Sequence, residues 1–86
     1  MKIIDIAVTG TTSLSLAFSD GSSGNWSADE LIARDTIMTR PLADPAYFAR
    51  AFIEAGALAW PNGFELSATN LHRRLAEPGA LIRPAA

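Results

Sequence analysis

Leu14, Leu16 and Phe18 alternate with Ser13, Ser15, Ala17 and Ser19, and this period of two predicts a strand with one apolar and one small polar face. Ile4, Ile6 and Val8 alternate with Asp5 and Ala7 and predict a half-buried strand before it, joined through the turn residues Thr9-Gly10-Thr11-Thr12. Asp20-Gly21 breaks the second strand, and residues 22–26 return as a third. A two-residue loop there sets Leu16 opposite Asn25 and puts Trp26 among the serines. A three-residue loop sets Leu16 opposite Trp26 and keeps the bulky groups together. A one-residue slip exchanges faces, so the odd-numbered loop is expected.

Ser27-Ala28-Asp29-Glu30 has the spacing of a capping box and predicts a short helix over 28–34, burying Leu31 and Ile32. In 35–40 the Thr and Ile residues weaken any continuation, and Pro41-Leu42-Ala43 reads as a connection. Asp44-Pro45 is an N-cap followed by the first helical residue. The helix it starts is expected over 45–51, with Phe48 and Phe52 four apart on one side. Residues 52–54 become a strand that turns at Ala55-Gly56.

The stretch 57–66 specifies a hairpin almost residue by residue. Pro61 presets φ for the first corner, Asn62 suits the second, and Gly63 takes the left-handed position that returns the chain. Trp60 then lies opposite Phe64 and Leu58 opposite Leu66 on one face, with Ala59 and Glu65 on the other. Ser67 is the N-cap of a last helix over 68–76, with Leu71 and Leu75 inward, and Pro78-Gly79 stops it. The order β-β-β-α-α-β-β-β-α, without βαβ spacing, predicts an α+β fold of antiparallel hairpins and three short helices. Residues 1–77 form one domain and 78–86 a flexible C-terminal tail. Periodicity leaves one sheet or two equally open.

The expected core comprises Ile4, Ile6, Val8, Leu14, Leu16, Phe18, Trp26, Leu31, Phe48, Phe52, Leu58, Trp60, Phe64, Leu66, Leu71 and Leu75. Apolar residues make up 49% of the 86, yet many are alanine. Burial contributes about 25 cal/mol per Å², whereas ordering costs roughly 1.5 kcal/mol per residue, so a domain of this size balances near zero. A homodimer is expected on that ground. The chain has no cysteine, hence no disulfide framework and no thiolate metal site. Asp5 interrupts what a signal peptide needs as an apolar run, and no stretch approaches the ~20 apolar residues that cross a bilayer. A cytoplasmic protein without membrane contact is therefore expected. A net charge of −2 supplies no overall positive field for nucleic acid.

Phe18-Ser19-Asp20-Gly21, then Leu42-Ala43-Asp44-Pro45-Ala46-Tyr47-Phe48, then Leu58-Ala59-Trp60-Pro61-Asn62-Gly63 occur in that order. Together, over residues 3–75, they resemble a small bacterial family known as domain of unknown function 2442. Trp60-Pro61-Asn62-Gly63 is the most distinctive block. The chain departs from the pattern at Asn25-Trp26, where relatives carry two aliphatic residues. The resemblance implies a compact α+β domain, some relatives of which carry an added DNA-binding module. It also implies a small protein partner encoded nearby, in a pair of toxin–antitoxin kind. It brings no catalytic residue.

Little else in the sequence suggests chemistry. His72, the single histidine, stands beside Arg73 and Arg74 without a carboxylate at helical spacing, and reads as a solvated flank residue. Asp20 belongs to a turn, Glu30 and Asp44 to helix starts, and Glu65 to a solvent face. Ser13, Ser15 and Ser19 lack a nearby base and a nucleophile elbow, and there is no glycine-rich phosphate loop. The serine face reads as solvated, and Trp60 as a core anchor rather than an aromatic platform. Arg73 and Arg74 with Arg50 could make a local basic patch, although scattered solvated charges are the plainer reading. No catalytic, cofactor-binding or metal residue is assigned. Trp60, Pro61, Asn62 and Gly63 remain as interaction candidates. The expected function is a non-enzymatic interaction domain that binds a small protein partner. The alternative is a nucleic-acid-associated regulator contributing dimerisation, followed by a small carboxylate-dependent enzyme.

Overall fold

The computed structural model describes residues 1–83. Two antiparallel three-stranded sheets, ordered β1-β2-β3 and β4-β5-β6, define an α+β fold with three helices. The strands are β1 (Ile3–Val8), β2 (Ser13–Phe18), β3 (Ser23–Ser27), β4 (Phe52–Glu54), β5 (Ala57–Ala59) and β6 (Glu65–Leu66). The helices are α1 (Asp29–Ala33), α2 (Pro45–Phe48) and α3 (Ala68–Ala76), with a 3-10 turn at Arg40–Ala43. The strand groups left open by periodicity are thus two separate sheets.

In β1 the phase differs from a simple alternation. Ile3 lies opposite Phe18 while Asp5 lies opposite Ala17, so the strand carries one extra residue at Ile4. That bulge buries Ile3 and leaves Ile4 62% exposed, the reverse of the expected assignment. Val8, also expected inside, is 53% exposed.

The loop between β2 and β3 has three residues, closed by Phe18 N–H to Ser22 C=O at 2.8 Å, with Gly21 at φ 88°. Trp26 accordingly joins the apolar face, but its partner is Leu14, and Leu16 faces Gly24. The expected Leu16–Trp26 pairing is displaced by two residues, a slip that preserves faces. Gly24 fits under α3. A Cβ there would lie 2.9 Å from Leu75 Cδ1 and 3.1 Å from the Ala80 carbonyl.

The capping box at Ser27 does not form. Ser27 Oγ accepts from the Asp29 N–H at 3.2 Å, Ala28 occupies the N-cap without a side-chain bond, and Asp29 instead accepts from the Thr12 hydroxyl. The segment read as a bare connection coils into the 3-10 turn and buries Leu42 completely. Asp44 does cap α2, accepting from Ala46 N–H at 3.1 Å. The helix stops at Phe48, so Phe52 falls in β4, where it is 40% exposed and shares no helical face with Phe48.

The hairpin β5–β6 forms as its sequence specifies. Leu58 pairs with Leu66, Trp60 N–H donates to Phe64 C=O at 3.0 Å, and Gly63 adopts φ 90°. Ser67 caps α3 by accepting from Asn70 N–H at 3.1 Å. Beyond α3, where no docking element is legible, Ile82 and Ser23 exchange both backbone hydrogen bonds, which ties the chain to the outer edge of β3. Residues 84–86 of the expected tail lie outside the described residues.

Trp60 joins the parts of the core. Its ring centroid lies 6.3 Å from that of Trp26, 5.8 Å from Phe48 and 5.9 Å from Phe64, and its Nε1–H donates to Phe48 C=O at 3.1 Å. Residues of both sheets and of all three helices thereby share one cluster.

Candidate functional site

The distinctive Trp60-Pro61-Asn62-Gly63 block is a clamp. Asn62 N–H donates to the Tyr47 hydroxyl at 3.0 Å, Asn62 Nδ2 donates to Met38 C=O at 3.2 Å, and Asn62 Oδ1 accepts from Phe64 N–H at 3.1 Å. One side chain thus fixes its own turn and holds it to the segment before the 3-10 turn. Trp60 is buried, as a core anchor should be. Pro61, Asn62 and Gly63 are exposed.

The tertiary fold gives His72 the carboxylate partner that helical spacing does not. His72 Nε2 lies 3.0 Å from Asp20 Oδ2, and its ring meets Phe18 edge-on at 5.2 Å between centroids. Asp20 Oδ1 also accepts from the Ser22 hydroxyl and from Ser22 N–H. The Ser22 hydroxyl and N–H, with a further contribution from His72, hold the Asp20 carboxyl at about 2, against the smaller effect of desolvation. Reading His72 as a solvated flank therefore fails: its side chain is only 17% exposed. The signal lay in Asp20, a turn acid whose partner is 52 residues away. The three residues are not arranged for nucleophilic catalysis. Asp20 sits between Ser22 and His72, and the Ser22 hydroxyl is buried and committed to the carboxylate.

A shallow groove of about 350 Å³ runs between α1 and α3, lined by Glu30, Arg34, Asn70, Arg73, Arg74 and Glu77. Arg34, rather than Arg50, is the arginine that joins Arg73 and Arg74. The positive charges are partly answered: Arg74 approaches Glu30 at 3.9 Å, and Arg73 donates to Asn70 at 3.1 Å. Among the described residues no group of three or more His, Asp or Glu side chains is placed to hold a metal ion. No helix among them is long and apolar enough to cross a membrane.

Four of the exposed large apolar residues lie on edge strands, whereas Met1, Ile37, Met38 and Ile82 lie outside the six strands. Ile4 and Val8 on β1 and Phe52 and Ile53 on β4 are all exposed, and the two strands adjoin, with Ile3 N–H bonded to Gly56 C=O at 2.8 Å. Isolated surface apolars are ordinary, whereas an open edge strand is a place where another chain can pair. No family model, curated protein or solved structure matches the chain.

Proposed function

We propose that this chain is a non-enzymatic interaction domain that self-associates through the edge formed by β1 and β4. The observation that carries the reading is the exposure of Ile4, Val8, Phe52 and Ile53 on adjoining edge strands. A second copy covering them removes apolar surface from water, a gain that matters in a domain of 86 residues. The sequence resemblance adds a small protein partner encoded nearby, and a cytoplasmic setting accords with the absence of cysteine. Light scattering tests the self-association. A mass twice the 9.1 kDa of one chain is expected at micromolar concentration, and Ile4→Asp with Ile53→Asp should return it to one chain. A wild-type chain that remains single at high micromolar concentration removes the reading. The partner is tested by co-expression with the adjacent gene product, which should co-purify.

A second reading takes its support from the convergence of Arg34, Arg73 and Arg74 on one groove. In it the domain serves a nucleic-acid-bound regulator, chiefly by dimerising. Retention of DNA or RNA at low salt, lost as salt rises, is its expected signature. No retention at low salt removes it.

A further inference from the structure

The outer edge of β1 has a specific hydrogen-bonding phase. Thr9 N–H donates to Ser13 C=O at 3.1 Å, so beyond the bulge the odd-numbered residues bond β2, and Ile6 and Val8 direct N–H and C=O away from it. Among the described residues the backbone contact on this outer side is Gly56, and it meets β1 at Ile3. Farther along, Asp5 Oδ1 accepts from Ile6 N–H at 3.0 Å. A side-chain carboxylate thus stands in for the acceptor that a neighbouring strand would supply, a common way of shielding an open edge.

We infer that two copies join through β1, antiparallel about a two-fold axis at Ala7, so that the sheet of one copy continues into that of the other. This rests on the self-association proposed above and gives it a register. An axis at Asp5 would place two carboxylates opposite each other, which is unfavourable. An axis at Ile6 would carry the partner's Thr9 and the partner's Gly10 against Ile3 and Lys2, where Gly56 already sits. An axis at Val8 would pair little before the chain turns at Gly10.

The axis at Ala7 avoids all three. It sets Ile6 against the partner's Val8 and Val8 against the partner's Ile6, each pair exchanging both backbone bonds. Asp5 then faces the partner's Thr9. Its carboxylate must release Ile6 N–H, so it acts as a guard on the edge. The interface is self-complementary, as a two-fold dimer requires, and it covers Val8, which is exposed in the single chain.

Cysteine cross-linking tests the axis directly, because the chain has no cysteine of its own. Ala7 is exposed. At the axis the two Ala7 Cα atoms form a non-hydrogen-bonded pair about 4.5 Å apart, within disulfide reach. Mild oxidation of Ala7→Cys should give covalent dimer at least about tenfold faster than Ala46→Cys, an exposed control on α2. Val8→Pro should weaken the dimer about tenfold, and Asp5→Ala should tighten it by a similar factor. Equal cross-linking of Ala7→Cys and Ala46→Cys overturns the β1 axis. If the wild type is nonetheless dimeric, the self-association reading stands and only the strand pairing falls. A wild type that stays single at high micromolar concentration overturns both.

Discussion

Asp20 and His72 meet at 3.0 Å although 52 residues separate them, and the contact joins the β2–β3 turn to the middle of α3. The same carboxylate takes two hydrogen bonds from Ser22, so one acid both shapes its turn and anchors a helix.

This arrangement makes stability depend on acid. The Asp20 carboxyl falls from 3.8 to about 2 in the folded chain, chiefly through the Ser22 bonds and with His72 adding. A depressed folded value means that the contribution is fully present above pH 3.8 and is lost as pH falls towards about 2. Thermal melts across that window should show a falling Tm, with a shallower fall in Asp20→Asn. Parallel curves for the two proteins would contradict the assignment.

Trp60 is buried among Trp26, Phe48 and Phe64 and donates to the Phe48 carbonyl. Trp60→Ala should cost about 3–5 kcal/mol, enough to unfold most of a small domain. Trp60→Phe keeps much of the volume but removes the Nε1–H donor; the Phe48 carbonyl retains its bond from Ala51 N–H at 3.2 Å, so a cost of about 0.5–1.5 kcal/mol is expected. Urea denaturation distinguishes the two. A neutral Trp60→Phe would show that the hydrogen bond contributes nothing.

Asn62→Ala removes the bonds to Met38 C=O and from Phe64 N–H while leaving the backbone bond to Tyr47 in place. Each is exposed to water, and a loss of about 1–2 kcal/mol in total is expected. Hydrogen exchange should quicken at Phe64. Unchanged exchange there would show that the turn holds itself.

At Gly24 the test is steric. Gly24→Ala would bring a methyl against Leu75 and the Ala80 carbonyl, and should destabilise the domain by about 1–3 kcal/mol. The Leu75 methyl can move, but the backbone carbonyl cannot do so without loosening the Ser23–Ile82 bridge. Faster exchange of the Ser23 and Ile82 amides is therefore expected before global unfolding. Protection equal to that of the wild type would show that α3 yields instead.

Elements that depend on neighbours in sequence were legible without coordinates. Pro61-Asn62-Gly63, Ser67 before α3 and Asp44-Pro45 carry their own backbone preferences, so the hairpin, α3 and the start of α2 follow from local chemistry. The alternation in β2 predicted its buried face for the same reason. Neither the extra residue at Ile4 nor the burial of Leu42 leaves such a mark, since each depends on what packs against it from elsewhere in the chain.

The candidate site divides along the same line. Sequence alone marked Trp60 as a core anchor and Asn62 as a turn residue, because both roles arise within one hairpin. Tertiary structure decided that the strands form two sheets, that Asp20 finds His72, and that β1 and β4 bring their exposed side chains to adjoining edges. Those outcomes depend on contacts between residues far apart in the chain, whose formation depends on packing of the whole domain rather than on any short-range preference.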